Sequence, residues 1–367
     1  MPWYEIRDIE QLDTPSLVIY LERVKKNIQT FVKSIDDVSR LRPHIKTHKS
    51  PEITAMMQEA GINKFKCATI AEAEMLASTE ARDVVLAYQP VGPTGKRLLA
   101  LIKKFPSTRF SCLVDNYGTA SELSETFSKE NTILPVYIDL NVGMNRTGIL
   151  PEEAHELYRR CKAMPGIQVV GLHAYDGHIR DKDYSIRKQR CDEAFLRIEK
   201  LRQELQSSDN EDLTIIAGGS PTFSIHSKRK NIECSPGTFV YWDKGYEEIL
   251  IEQHYLPAAL VVTRVISKPS PNIICVDLGH KSIASENALD KRVFFLNANN
   301  LKPIGHSEEH MVFSVEGESE INVGDVLYGV PYHVCPTVAL HDKANIVENN
   351  RLVKYWETTA RNRRITI

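Results

Sequence analysis

Val136-Tyr137-Ile138-Asp139-Leu140, then Asn141-Val142-Gly143-Met144-Asn145-Arg146-Thr147-Gly148, then Pro151-Glu152-Glu153-Ala154: within twenty residues the chain passes through a strand-length apolar run, a polar turn and a helix start. The run has the length and β-branched character of a buried strand. Pro151 is pre-organised for a first helical turn, and the two acids after it favour the positive end of a helix dipole. Working outward, further strand-length runs at 41–46, 64–68, 84–88, 110–114, 169–174, 213–217 and 231–234 bring the number to eight. Amphipathic segments separate most of them, such as Ile53-Met56-Met57-Ala60, and the longest helical pattern covers 183–206. Eight strand-then-helix units in roughly 200 residues predict an α/β fold of the closed (β/α)8 TIM-barrel type. An open doubly wound sheet is the alternative, but it rarely needs eight units.

From about residue 256 the pattern changes. Apolar, β-branched runs at 260–267, 273–278, 293–296, 310–314, 326–330, 337–340 and 352–356 follow one another without helices, punctuated by Gly and Pro. This predicts a C-terminal antiparallel β domain. A strand at 14–20 precedes the barrel and is expected to join that sheet. The expected domains are therefore a barrel over 21–250 and a β domain made of 1–20 plus 251–367.

The bulk numbers narrow the function. The 367 residues are 42% hydrophobic and 26% charged with a formal net charge of −2, which points to neither nucleic acid nor an anionic membrane as partner. No apolar run reaches membrane-spanning length. The first residues, Met1-Pro2-Trp3-Tyr4-Glu5-Ile6-Arg7-Asp8, lack the apolar core of a secretory leader. The seven cysteines are scattered and odd in number, as expected of free thiols in a reducing cytoplasm.

In a barrel of this type, reactive groups lie on the loops that follow the strands. The first such loop is Arg42-Pro43-His44-Ile45-Lys46-Thr47-His48-Lys49. A lysine there can form a Schiff base with a carbonyl cofactor, and His44, His48 and Lys49 are expected to disfavour its ammonium form as like charges. The fifth loop carries Arg146, whose guanidinium offers a fixed fork to an oxygen anion. The sixth carries Tyr175-Asp176-Gly177-His178; Tyr175 can stack on a planar ring. The seventh, Gly218-Gly219-Ser220-Pro221-Thr222, and the eighth, Gly237-Thr238, let backbone amides and hydroxyls approach an anion. For any one glycine, turn geometry is the simpler reading; two such clusters after adjacent strands point to a phosphate. Lysine, phosphate cup, arginine and aromatic on one rim fit pyridoxal 5′-phosphate. In the β domain, Pro331-Tyr332-His333-Val334-Cys335-Pro336-Thr337 reads as a strand, where residues two apart share a face. His333 and Cys335 could then ligate one divalent metal, zinc best, with manganese or magnesium possible. Taken alone, an H-x-C pair reads better as a buried histidine and a small apolar cysteine; the rest of the chain tips it toward a metal.

The segments around Lys46, Arg146 and Gly237 together resemble fold-type III pyridoxal-phosphate enzymes, with an alanine racemase-like N-terminal barrel. Within that group they are most similar to the D-threonine aldolase and D-serine dehydratase family, and the resemblance covers nearly the whole chain. It implies that Lys46 carries the cofactor and moves the α-proton. Arg146 would contact the cofactor's phenolic oxygen, and the Gly218, Gly219, Thr222, Gly237 and Thr238 segments would hold its phosphate. Tyr175 would line the ring, and His333 and Cys335 would hold a metal on the substrate's β-hydroxyl. It implies a homodimer acting on a small D-amino acid. His178 is a candidate base. Where alanine racemases carry a tyrosine base, this chain reads Val276-Asp277-Leu278-Gly279-His280-Lys281-Ser282, so a lyase is expected over a metal-independent racemase. Cysteine in the H-x-C pair leans toward dehydration; the Tyr175–His178 segment is at least as aldolase-like. A non-catalytic pyridoxal-phosphate carrier would not need residues 256–367.

Overall fold

The computed structural model describes residues 1–209, 213–317 and 320–367. They form two compact units. One comprises Phe31–Lys46, Pro51–Gly237 and Asn362–Ile367; the other comprises Met1–Thr30, Thr47–Ser50 and Thr238–Arg361.

The chain's first strand, β1 (Ser16–Tyr20), belongs to the second unit. The first unit holds β2 (Lys64–Cys67), β3 (Asp83–Leu86), β4 (Arg109–Val114), β5 (Leu134–Asp139), β6 (Ile167–Ala174), β7 (Thr214–Ala217) and β8 (Ile232–Cys234), paired in that order and all parallel. Their side chains are almost all buried, as in a parallel sheet covered by helices. The expected first strand, 41–46, is not a ladder strand. It makes single bridges from Leu41 to Cys234 and from His44 to Lys66. Pro43 has no N–H to give to a ladder; its carbonyl accepts from Lys66, while Arg42 and His44 donate to Cys234 and Pro236. The segment still joins β8 to β2, so seven ladder strands and one irregular link complete the ring. Beneath the link, Arg42 is buried and paired with Glu233 at 2.6 Å and with Asp83. The long helix expected over 183–206 runs Tyr184–Asp209. The helix announced by Pro151 starts at Ala154, with Pro151 in the turn before it.

The second unit is a nine-stranded sheet. Its main path is β12 (Leu301–His306), β13 (Met311–Val315), β10 (Ile273–Val276), β9 (Ala259–Ser270), β1, β15 (Lys343–Glu348) and β16 (Arg351–Glu357); β14 (Val326–Pro331) pairs with β9 and with β11 (Val293–Phe295). The N-terminal strand does join this sheet, antiparallel to β9 and parallel to β15. Val261, Ile274, Phe295, Phe313 and Leu327 fill one core cluster. Two strands escaped the sequence reading. β12 lies at the end of the path and carries Pro303 and Gly305, residues that weaken a strand signal and are tolerated at edges. β15, Lys-Ala-Asn-Ile-Val-Glu, alternates only in part. The strand expected at 337–340 is instead the end of a helix, Val334–Leu340.

Candidate active site

In the barrel unit, Lys46 lies in the short turn Ile45–Thr47 directly after the link segment, half-buried, its N–H directed at His44 Nδ1 (3.3 Å). His48 is fully buried. Burial drives its imidazole down to about pKa 3, and its Nδ1 accepts from Ser50 N. It therefore brings no positive charge to the run, contrary to the expectation for that residue.

The loop after β5 is organised by Asn141, whose Oδ1 accepts from the N–H groups of Gly143 and Asn145, both at 3.1 Å. It presents Arg146 with its guanidinium 5.2 Å from the centre of the Tyr175 ring. Tyr175 lies close over two glycines. A Cβ at position 219 would come within 2.7 Å of its Cε2, and one at 177 within 2.2 Å of its Oη. Only glycine at both positions lets the ring lie against this backbone, the glycine slot that Tyr175 fills, and Gly218 needs the freedom too, with φ of +79°.

Behind the slot, Thr222 Oγ1 gives its single proton to Asp176 Oδ1 (2.6 Å) and accepts from Gly219 N (3.3 Å). Its side chain thus braces the glycine loop and does not point a donor outward. Asp176 Oδ2 also accepts from His226 Nε2 (2.8 Å). The tautomer follows from Arg229, which can only donate and sits 2.7 Å from His226 Nδ1. Burial opposes ionisation of Asp176, but the His226 and Thr222 contacts outweigh it and hold its pKa below the usual range. Cys191 Sγ lies 3.3 Å from His226 Nε2, and burial pushes its thiol up to about 12. Asp176, Cys191 and His226 place ligand atoms within 4.8 Å of one another, close enough for a small cation. Arg229 Nη1 lies beside two of the three, 2.7 Å from His226 Nδ1 and 3.6 Å from Cys191 Sγ.

His178 is half-buried against Gly143. A Cβ there would meet its Nε2 at 2.9 Å, and its buried Nδ1 has no hydrogen-bond partner among the described residues. Burial lowers its pKa, so it is a neutral imidazole able to accept a proton.

His173 and Ser235 read from the sequence as rim residues after the sixth and eighth strands; what the sequence did not show is that they form a buried group with Lys66 and Asp139 in the same barrel. Its one visible signal was a lysine in the middle of a strand-length apolar run.

In the β unit, His333 and Cys335 do come together, but not as strand neighbours. β14 ends at Pro331. His333 is the residue capping the helix Val334–Leu340, and Cys335 lies in that helix's first turn. The start of the helix is fixed by Asp243, whose Oδ2 accepts from Val334 N (3.1 Å) and whose Oδ1 accepts from Tyr246 N (2.9 Å). Burial works against a charged His333. Its hydrogen bond to Cys335 and its contacts with Glu286 and Asp243 prevail and raise it to about 9. Glu286 engages Nδ1, which leaves Nε2 as the nitrogen that could face a metal, with the carboxylate in the usual supporting place. Thr47 Oγ1 lies 3.1 Å and Thr238 Oγ1 3.8 Å from Cys335 Sγ. One imidazole nitrogen and one thiolate suit zinc. Gly237 belongs to the barrel unit, and its chain neighbour Thr238 to the β unit.

Comparison with known proteins places the chain among related sequences and folds. A family model described as alanine racemase, N-terminal domain, matches residues 19–244, and a serine dehydratase domain model matches 258–347. D-threonine aldolase from an Arthrobacter species is 28% identical over 96% of this chain and 94% of its own length. D-threo-3-hydroxyaspartate dehydratase from a Delftia species is 22% identical over 94% of this chain and 97% of its own. Among solved structures, D-threonine aldolase from Filomicrobium marinum superposes with a TM-score of 0.86 at 26% identity, covering 95% of each chain.

Proposed function

The chain belongs to the family defined by the alanine racemase N-terminal domain, and from that membership we propose that it is a pyridoxal 5′-phosphate- and divalent-metal-dependent lyase acting on D-3-hydroxy-amino acids. The observation that carries the reading is Lys46. Two lysines approach the barrel interior, Lys46 and Lys66. Lys66 is 2% exposed, with protons committed to His173 and Ser235. Lys46 is the less buried of the two, half-buried as a residue, and it follows a strand position, where barrel chemistry resides.

The chemistry of the residues suits the cofactor: glycine at 177 and 219 lets Tyr175 lie against the backbone, and Gly218 lets His226 approach. Lys46 would attach it covalently, Arg146 would donate to its ring oxygen, and Tyr175 would line its face. Gly218, Gly219 and Gly237 would bring backbone amides to its phosphate, with Thr222 bracing the loop and Thr238 near by in sequence. When bound, the cofactor supplies an electron sink for the bond broken at the substrate's α-carbon. His333 and Cys335 would hold a zinc ion, whose charge polarises the β-hydroxyl. His178, a neutral imidazole, would accept the hydroxyl proton for retro-aldol cleavage to glycine and an aldehyde. In the second version Lys46 would take the α-proton and the hydroxyl would leave with a proton as water; the released enamine, hydrolysed by water, gives an oxoacid and ammonia. Overall likeness to D-threonine aldolase favours the first; a cysteine beside the metal histidine favours the second. We further propose a cytoplasmic homodimer, consistent with seven free thiols, five of them buried.

The test is direct. Purified protein is expected to show, or gain with added cofactor, a yellow absorbance band that Lys46→Ala removes. D-threonine, D-serine and D-3-hydroxyaspartate are then supplied, and glycine is scored against ammonia. A protein that never colours sinks the reading.

A further inference from the structure

A lysine buried inside a barrel is costly, because an apolar side chain would fill the space without the penalty of desolvating an amine. Lys66 lies in β2 and is enclosed by β5, β6 and the loops after β7 and β8. Its surroundings fix the direction of every proton. Ser235 Oγ lies 2.9 Å from the carbonyl of Gly218, which can only accept, so the serine hydroxyl donates there. Toward Lys66 Nζ, at 2.7 Å, Ser235 is therefore the acceptor. On the other side, His173 Nδ1 meets Asp139 Oδ1 at 2.6 Å. Burial opposes the Asp139 charge, but hydrogen bonds from His173 and Thr147 keep the carboxyl ionised. His173 is itself held neutral by burial and by Lys66. Its one proton sits on Nδ1 and goes to Asp139. Its Nε2 then accepts from Lys66 Nζ at 3.2 Å. Lys66 gives one proton each way, which a neutral amine and an ammonium can both do.

The chain ends at two places already described. Thr147 adjoins Arg146, and Gly218 opens the glycine loop. Lys66 Nζ also lies 5.3 Å from the centre of the Tyr175 ring, as Arg146 does at 5.2 Å.

We propose that Lys66 is a positioning residue of the cofactor slot: its amine is the middle link of a hydrogen-bonded chain, Thr147–Asp139–His173–Lys66–Ser235–Gly218, that fixes the loop bearing Arg146 against the loop bearing Gly218 and Gly219. The charged groups facing it are Lys46, Arg146, Asp139 and Asp176. Burial, and after it the charge of Lys46, bring the Lys66 amine down to about 7. The chain thus tolerates loss of one proton near neutrality without breaking, because the remaining two N–H groups are the ones it uses.

The proposal rests on the barrel holding pyridoxal phosphate, and its test separates the two ideas. Lys66→Met keeps the length and removes the donors. In cofactor-free wild type, 15N NMR of His173 is expected to show a neutral ring protonated at Nδ1; in Lys66→Met the tautomers are expected to mix. In the same variant the dissociation constant for pyridoxal phosphate is expected to rise about tenfold, the worth of one buried hydrogen-bonded link, and the pH midpoint of the absorbance band is expected to move. A merely structural lysine would lower the melting temperature and leave all three unchanged in the folded fraction; that result overturns the proposal. If Lys66→Met does not fold, Ser235→Ala cuts only the last link. It is expected to weaken cofactor binding, and wild-type affinity would overturn the proposal equally. Wild-type protein that binds no cofactor is a failure of the proposed function, whereas the His173 signal is read without cofactor.

Discussion

Lys66 sets a sign that can be measured on the folded chain alone. Its pKa of about 7 in the fold lies below the ordinary lysine value. Between pH 7 and about 10 the unfolded chain therefore binds a proton at this residue that the folded chain does not. Stability contributed by Lys66 rises with pH through that window, and its burial penalty is fully present below it. Lys66→Met titrates nowhere. Urea unfolding at pH 6.5 and pH 9.5 is expected to show wild type gaining on the variant by a few kcal/mol at the higher pH, an order-of-magnitude figure from linkage. An unchanged difference would mean the amine is solvated. The contrast between the two lysines also shows what a sequence reveals at this scale. Lys46, Arg146 and Tyr175 were legible because each follows an apolar run, where position in the chain gives position on the rim. Lys66 and Asp139 lie within strand-length runs, where nothing local marks them out from their neighbours, and His173 lies near the end of such a run. Their partnership spans 107 residues between Lys66 and His173 and exists only once the sheet has curled.

The segment 331–337 and the link 41–46 were both read as strands, and each departs for a local reason. Pro43 denies the ladder a donor, so the link is held by single bridges and by Arg42 beneath it. At 331–337 the chain turns from β14 into a helix because Asp243 accepts the Val334 N–H. The pairing of His333 with Cys335 was legible; the element that creates it was not, because its cap lies 91 residues away. Asp243 is 2% exposed and serves two helix starts. Replacing it with alanine strips both caps, so Asp243→Ala is expected to cost about 2 kcal/mol in urea unfolding. It is also expected to weaken zinc binding, measured by titration calorimetry, as His333 and Cys335 lose their common support. A variant with full zinc affinity would show that the helix start holds without its cap.

At the scale of the molecule, the periodic half of the chain announced itself through eight repeats, and the other half through the loss of helices after residue 256. Periodicity did not disclose the interleaving. Thr47–Ser50, one residue beyond Lys46, packs with the β unit, and Asn362–Ile367 packs with the barrel unit. The consequence for function is a division of labour that metal removal can expose. The groups proposed for the cofactor, Lys46, Arg146, Tyr175 and the glycine loop, lie in the barrel unit; His333 and Cys335 lie in the β unit, which has its own apolar core. Treatment with a strong chelator is therefore expected to leave the cofactor's absorbance band and the melting temperature nearly unchanged, because neither the slot nor either core contains the proposed metal ligands. Turnover of D-threonine and D-serine should fall by at least a hundredfold, since nothing then polarises the β-hydroxyl, and added zinc should restore it. Cys335→Ala is expected to reproduce the chelated state without chelator and to resist rescue. Chelation that bleaches the band would tie the metal to the barrel instead, with Asp176, Cys191 and His226 as its ligands. Turnover that survives chelation would remove the metal from the reaction.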